Sequence, residues 1–207
     1  SCGEAAVSGV SLVIQFSNIF IMLFTALAAG GAVIVSQFIG SQDQKNTNKA
    51  SSQLLSFSTI FALLLSIFVL IFHKQMLSLL FGKVEKDVMD ACITYLKIST
   101  YSYIFLAIYN AGAAIYRSMA KTKVTMYISL VANAINIVGN IIGVYYLKAG
   151  VAGVAWPTLL ARAFSAVAIT YLCFQKENKA RYEMKYITRL DYPLLSKIFK
   201  VAVPNGV

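Results

Sequence analysis

The side chains of this 207-residue chain that could do chemistry are mostly neutral amides and hydroxyls set within apolar runs. Ser129, Asn133, Asn136 and Asn140 recur at i, i+4, i+7 and i+11. At 100° per residue they share an arc of about 60° on a helix. Three carboxamides on one face of a membrane helix are costly unless partner helices or water meet them. Such a stripe is either interhelical hydrogen bonding or the polar wall of a solute pathway, and a length of three turns favours the wall. Ser8, Ser11, Gln15, Asn18 and Thr25 form a second stripe, and Ser99, Tyr103 and Asn110 a third. The residues read as lining a shared cavity are Gln15, Asn18, Tyr103, Asn110, Asn133, Asn136 and Asn140.

Charge inside these runs is nearly absent. Arg162 lies near the middle of one, and its insertion costs about 2.5–3.5 kcal/mol on translocon scales, so it needs acceptors or water in a bundle interior. A clamp between neighbouring helices is favoured over substrate contact. No Asp or Glu lies mid-run, whereas proton relays and dehydrated cation sites usually use a buried carboxylate. No buried Ser/His/Asp set, H-E-x-x-H or paired carboxylates occur, which argues against an enzyme. His73, beside Lys74 where an apolar run ends, reads as interfacial. Cys2, Cys92 and Cys173 have neither disulfide-framework nor metal-ligand spacing, so no metal site and no bound cofactor is expected.

The elements that position these residues follow from composition. Hydrophobic residues make up 58% and charged ones 13%, about half the ~25% charge of globular chains. Mean hydropathy is +0.71. Asp, Glu, Lys and Arg are missing from 5–42, 50–73, 98–116 and 124–147, each gap meeting or approaching the ~20 residues needed to cross a bilayer as helix. An all-α polytopic membrane protein is predicted, with spans at about 5–40, 50–72, 91–116, 124–147 and 151–174. The first is read as one long helix, because a break at Gly30-Gly31 would leave too short a second arm. Residues 41–49 are read as a loop, the stretch between His73 and Asp90 as an interfacial amphipathic turn, and Pro157 as a kink. Residues 1–175 form the transmembrane unit, 176–200 a charged amphipathic linker, and Val201 onward the opening of a further span.

The net charge of +10 is divided among the loops, which argues against a nucleic-acid surface. Loops on one side hold twelve Lys and Arg; those on the other hold Lys74, Lys83, Lys86 and Lys148. This bias places the linker in the cytoplasm and the start of the chain outside. The chain begins without Met and ends in mid-pattern, and is expected to be an internal piece of a larger membrane protein.

Four stretches carry a family resemblance. They are Ala26 to Gly40, ALAAGGAVIVSQFIG; Arg117 to Met126, similar to a loop with R-G-x-G-[DN]-T-[RK]; Asn133-Ala-Ile-Asn-Ile-Val-Gly-Asn140, similar to N-x-x-N-I-x-x-[DN]; and Gly150 to Arg162, similar to G-V-x-G-A-A-x-A-T-x-[IL]-A-R. In this order and spacing they resemble the MATE multidrug and toxic-compound extrusion transporters over nearly the whole chain. The resemblance implies five of the six helices of one lobe from a twelve-helix, two-lobed transporter. It implies efflux of drugs or organic cations by Na⁺ or H⁺ antiport through alternating access, in a plasma membrane, with amphipathic or cationic small molecules as substrates. The chain departs from the pattern at Asn140, where some members carry an Asp, and at Ala120-Lys121, where Gly-Asp is common. The first departure implies a coupling-ion site in the second lobe, outside this sequence. The alternatives are a lipid-linked oligosaccharide flippase of the same superfamily, which would place more cations in its cavity than Arg162 alone, and a receptor or scaffold, for which the outer loops are too short.

Overall fold

The computed structural model describes residues 4–81, 86–147, 152–175, 177–188 and 191–206. Lys83, Glu85, the turn at 148–150, Lys176, Arg189, Val207 and the side chain of Ser8 lie outside the described residues. The chain folds as α1 (Glu4–Gly40), α2 (Gln44–Phe81), α3 (Lys86–Ser118), α4 (Thr122–Ile141, extended by a π-helical turn at Ile142–Tyr146), α5 (Ala152–Cys173), a single turn α6 (Met184–Ile187) and α7 (Tyr192–Gly206). α1 to α5 are long and apolar enough to cross a membrane, and no strand occurs among the described residues.

α1 is one continuous helix through Gly30-Gly31, as the sequence predicts. Gly31 serves packing: a Cβ there would stand 2.4 Å from a Leu54 methyl of α2. Two stretches differ from expectation. Residues 44–49 are helix, because Asp43 caps α2: its Oδ1 accepts from the Asn46 N–H at 3.2 Å, and its carbonyl accepts from the Thr47 N–H at 2.9 Å. Polarity there marks a helix leaving the bilayer. Likewise 73–81 continues α2 with no break. Its 38 residues reach about 57 Å at 1.5 Å each, nearly twice the ~30 Å hydrocarbon thickness, so both ends project.

The turns after α1 and α3 each pass through a left-handed residue, Gln42 (φ 60°) and Ala120 (φ 61°). The latter is the position where the family pattern carries glycine.

α3 is the spine, packed against α1, α2, α4 and α5. Two apolar clusters lie along it. One joins Phe16, Phe20, Phe24, Val69, Leu96 and Tyr103. The other, toward the linker end, joins Leu27, Val35, Leu54, Ile115 and Ile169 with Ala180, Tyr182, Leu194 and Ile198. Gly112 lets α5 close on α3: its Cβ would stand 2.7 Å from Ile169.

Candidate functional site

α4 carries the amide stripe, and its seat on α5 decides which amides are enclosed. Gly139 and Gly143 face Pro157 and Gly153 in antiparallel register. A Cβ on Gly139 would stand 2.7 Å from the Pro157 Cβ, and one on Gly143 would stand 2.4 Å from the Gly153 carbonyl oxygen. Pro157 has no N–H, so the carbonyl four residues back, on Gly153, loses its helical donor. That carbonyl lies against Gly143, where α4 has just entered its π-helical turn. α5 is continuous from Ala152 to Cys173 through Pro157, so the consequence of the proline seen here is a released carbonyl at the α4 crossing.

Asn136 and Asn140 lie within about 100° of this glycine seam on the helical wheel, and both are half-buried. Among the described residues, the Oδ1 atoms of both are enclosed and have no hydrogen-bond partner. On α3, the Nδ2 of Asn110 is enclosed and unpartnered as well. Buried polar atoms are nearly always paired, so each such exception calls for a water, ligand or further chain. Asn133, farther from the crossing, is exposed. Ser129 is held 3.1 Å from the Tyr109 hydroxyl of α3.

The other candidates separate. Gln15 and Asn18 are exposed on α1, as are Ser11 and Thr25. Tyr103, expected to line a cavity, is instead fully buried. Its hydroxyl lies 2.6 Å from that of Ser17 on α1, and its ring lies 5.5 Å from that of Phe20. Aromatic area favours the core when the hydroxyl finds a partner, and Ser17, off the α1 stripe, supplies it. α1 and α4 share no contact among the described residues, α3 bridging both. The three polar faces therefore do not meet directly in this bundle.

Arg162 clamps α5 to α3. Its Nη1 donates to Ser102 Oγ at 2.6 Å, and that hydroxyl donates to the Ser99 carbonyl at 2.5 Å. The charge-assisted bond answers the membrane cost expected of this guanidinium. Sequence reading found Arg162 but missed Ser102, one hydroxyl among many. His73 sits within α2, its Nδ1 2.8 Å from the Leu70 carbonyl oxygen. Cys92 and Cys173 are buried thiols. No group of three His, Cys, Asp or Glu close enough to hold a metal occurs among the described residues.

The largest sets of bonds missed from sequence lie at the linker end. Gln44, Asn48, Lys49, Ser52, Gln53 and Ser56 of α2 hold the segment between α5 and α7. Their i, i+4 spacing is visible in the sequence, but their partners lie about 130 residues away.

Comparison with known proteins places this geometry. The chain is 28% identical over 207 residues to "Uncharacterized transporter YisQ" of Bacillus subtilis (strain 168), covering 98% of the chain and 45% of the relative. It is 24% identical over 219 residues to "Probable multidrug resistance protein NorM" of Geobacillus kaustophilus, covering 99% of the chain and 46% of that protein. It thus spans about half the length of the curated relatives it matches. Among solved structures, a MATE protein in a bent conformation superposes with a TM-score of 0.91 at 21% identity, over 99% of this chain and 45% of that one. An inward-facing multidrug-resistance MATE transporter of the MOP superfamily gives 0.90 at 20% identity, over 99% and 46%. These likenesses establish the fold of one transporter lobe. The family model described as MatE matches residues 1–142, well over half of the chain, and on that match the chain belongs to the MATE family of membrane transporters.

Proposed function

We propose that this chain is most of the first lobe of a secondary efflux transporter. That transporter would export amphipathic or cationic small molecules across the plasma membrane by Na⁺ or H⁺ antiport. The observation that carries this reading is the set of enclosed, unpartnered amide atoms on α3 and α4, Asn110 Nδ2, Asn136 Oδ1 and Asn140 Oδ1. Such atoms offer one donor and two acceptors to a solute or its waters. Asn133 on α4 and Gln15 and Asn18 on α1 extend polar surface outward from the bundle, suiting them to a cleft shared with a second lobe. The linker belongs on the cytoplasmic side by its excess of Lys and Arg.

Coupling requires an ion whose binding differs between the two cleft states, since equal affinity shifts no population. Asn136 and Asn140 can offer oxygen to Na⁺ but exchange no proton near neutral pH. We therefore place the main coupling site on acidic residues of the second lobe, with Na⁺ favoured over H⁺. Two lobes related by an axis along the membrane normal would rock about the cleft.

The test uses Asn136→Leu and Asn140→Leu in the full reading frame, reconstituted in liposomes. If the amides serve solute, removing unpartnered buried acceptors leaves folding intact or improved while efflux falls. Destabilised variants with normal efflux per folded molecule would make the amides interhelical glue and overturn the reading.

A further inference from the structure

Among the described residues between the end of α5 and the start of α7 the only helix is the single turn α6, so the backbone there satisfies itself only in part. Irregular backbone must find other partners for its N–H and C=O groups. Here most of the side-chain partners come from one helix, beside the Tyr182 N–H bond to the Cys173 carbonyl at 2.9 Å and the Ala180 N–H bond to Met119 Sδ at 3.4 Å. On α2, Gln44, Asn48, Ser52 and Ser56 form one i, i+4 row and Lys49 and Gln53 an adjacent one. Gln44 Nε2 donates to the Lys179 carbonyl at 2.7 Å. Asn48 Oδ1 accepts from the Arg181 N–H at 3.3 Å, and its Nδ2 donates to Glu183 Oε1 at 3.0 Å. Ser52 Oγ accepts from the Glu183 N–H at 2.8 Å. Gln53, fully buried, donates to the Tyr186 carbonyl and accepts from the Asp191 N–H at 2.8 Å. Ser56 Oγ donates to the Ile187 carbonyl at 2.6 Å, and Lys49 pairs with Asp191.

Apolar packing also fixes the same segment. Ala180, Tyr182, Leu194 and Ile198 are buried in the cluster that contains Leu27, Val35, Leu54 and Ile115 of α1, α2 and α3. Asn178 adds a tie to α3 and α5: its Nδ2 lies 3.2 Å from the Tyr116 hydroxyl and 2.8 Å from the Leu172 carbonyl oxygen. A flexible tether shows few buried contacts and solvent-exposed backbone. This segment shows the reverse.

We propose that residues 178–188 and 191–198 belong to a rigid arm of the first lobe, so that the joint between the lobes lies beyond Ile198 and not at the end of α5. The inference rests on the two-lobe reading above. Under it, α7 is shared: its first turns belong to the first lobe, and its continuation hands the chain to the second. Of the charged side chains in this stretch, which reads as a solvated linker, Glu183 and Asp191 bond α2, and the remaining bonds to α2 are made by the backbone. Motion between lobes then passes through one helix.

The experiment places spin-label pairs in the full-length transporter, in a Cys2→Ser background, and measures distance distributions by pulsed electron resonance. Lys45→Cys on α2 with Lys185→Cys on α6 reports the arm, Lys45→Cys with Lys123→Cys reports the lobe interior, and Lys45→Cys with a second-lobe site reports lobe movement. The expected result is an arm distribution as narrow as the interior one and unmoved when substrate and coupling ion shift the lobe-to-lobe pair. Ser52→Ala/Gln53→Leu should abolish the single narrow arm peak. An arm pair that shifts together with the lobe-to-lobe pair overturns the proposal. A lobe-to-lobe pair that never shifts, with a narrow arm pair, refutes alternating access but leaves the attachment standing. Hydrogen exchange in the unsubstituted protein checks the same point should the double variant not fold. The Arg181, Glu183 and Asp191 amides should be as protected as those within α2, and exchange at unprotected rates would overturn the arm.

Discussion

The α4–α5 crossing gives the sharpest test of how the enclosed amides are held. In Gly143→Ala the new Cβ would stand 2.4 Å from the Gly153 oxygen and 2.8 Å from its Cα. Both obstacles are backbone, so no rotamer relieves them. An ordinary carbon–oxygen contact is about 3.3 Å, so the helices must part by about 1 Å. A gap of about 0.5–1 Å forfeits a quarter to a half of each contact's dispersion energy, and overpacking of this kind costs about 1–3 kcal/mol. For a chain of this size that corresponds to a fall in Tm of about 2–12 °C. Gly40→Ala is the control, because nothing lies within 4 Å of a Cβ there. The assay is thermal melting of a fluorescent fusion in detergent, read by size-exclusion chromatography, together with efflux at a permissive temperature. Gly153→Ala meets the Gly143 carbonyl at 2.6 Å, so the two substitutions share one contact, and the double variant should lose less than the sum. If Gly143→Ala melts with Gly40→Ala, or if the double variant is additive, α4 and α5 do not meet backbone to backbone and the enclosure of Asn136 and Asn140 has another cause.

Three further outcomes follow from particular bonds. Arg162→Leu leaves Ser102 without its donor and should lower folded yield and efflux together, whereas Arg162→Lys should restore part of the yield; normal expression with lost efflux would assign Arg162 to substrate instead. Ala120→Gly should raise stability by about 0.5–1 kcal/mol, because the left-handed conformation at φ 61° costs an L-residue about 1–2 kcal/mol, partly offset by the unfolded chain's added freedom; an unchanged or lower Tm would refute this. The hydrogen bond and charge of Lys49 hold the Asp191 carboxyl below its ordinary value. A depressed folded value stabilises above the unfolded one, about 3.9, and this is lost as pH falls through the folded value. Protease nicking at 178–191 should therefore increase below about pH 4. Lys49→Gln should flatten that dependence, and a profile identical to the parent's would exclude the pair as its source.

How far the fold was legible follows from what the bilayer demands of a sequence. Hydrocarbon tolerates no unpaired backbone, so long apolar stretches must be helices, and this fixed the number of long elements and the unity of α1 at Gly30-Gly31. The same rule says nothing about a helix once it leaves the membrane. Residues 44–49 and 73–81 therefore read as loop and turn although α2 runs through both; the Asp43 cap is a local signal, but polarity outweighed it.

Periodicity likewise placed Asn136 and Asn140 on one face, because angular position on a helix depends on sequence alone. Which amides become enclosed was decided by where α5 lies, and that depends on the Gly139–Pro157 and Gly143–Gly153 approaches. Tyr103 shows the same division. Its phase aligned it with Asn110, yet Ser17, 86 residues earlier, draws it into the core. The linker is the extreme case. Its charge and irregularity are sequence properties, whereas its attachment is made by α2 side chains more than 130 residues away. The i, i+4 row on α2 is legible, but its distant partners leave no matching period in the linker, and only the folded chain brings donor to acceptor.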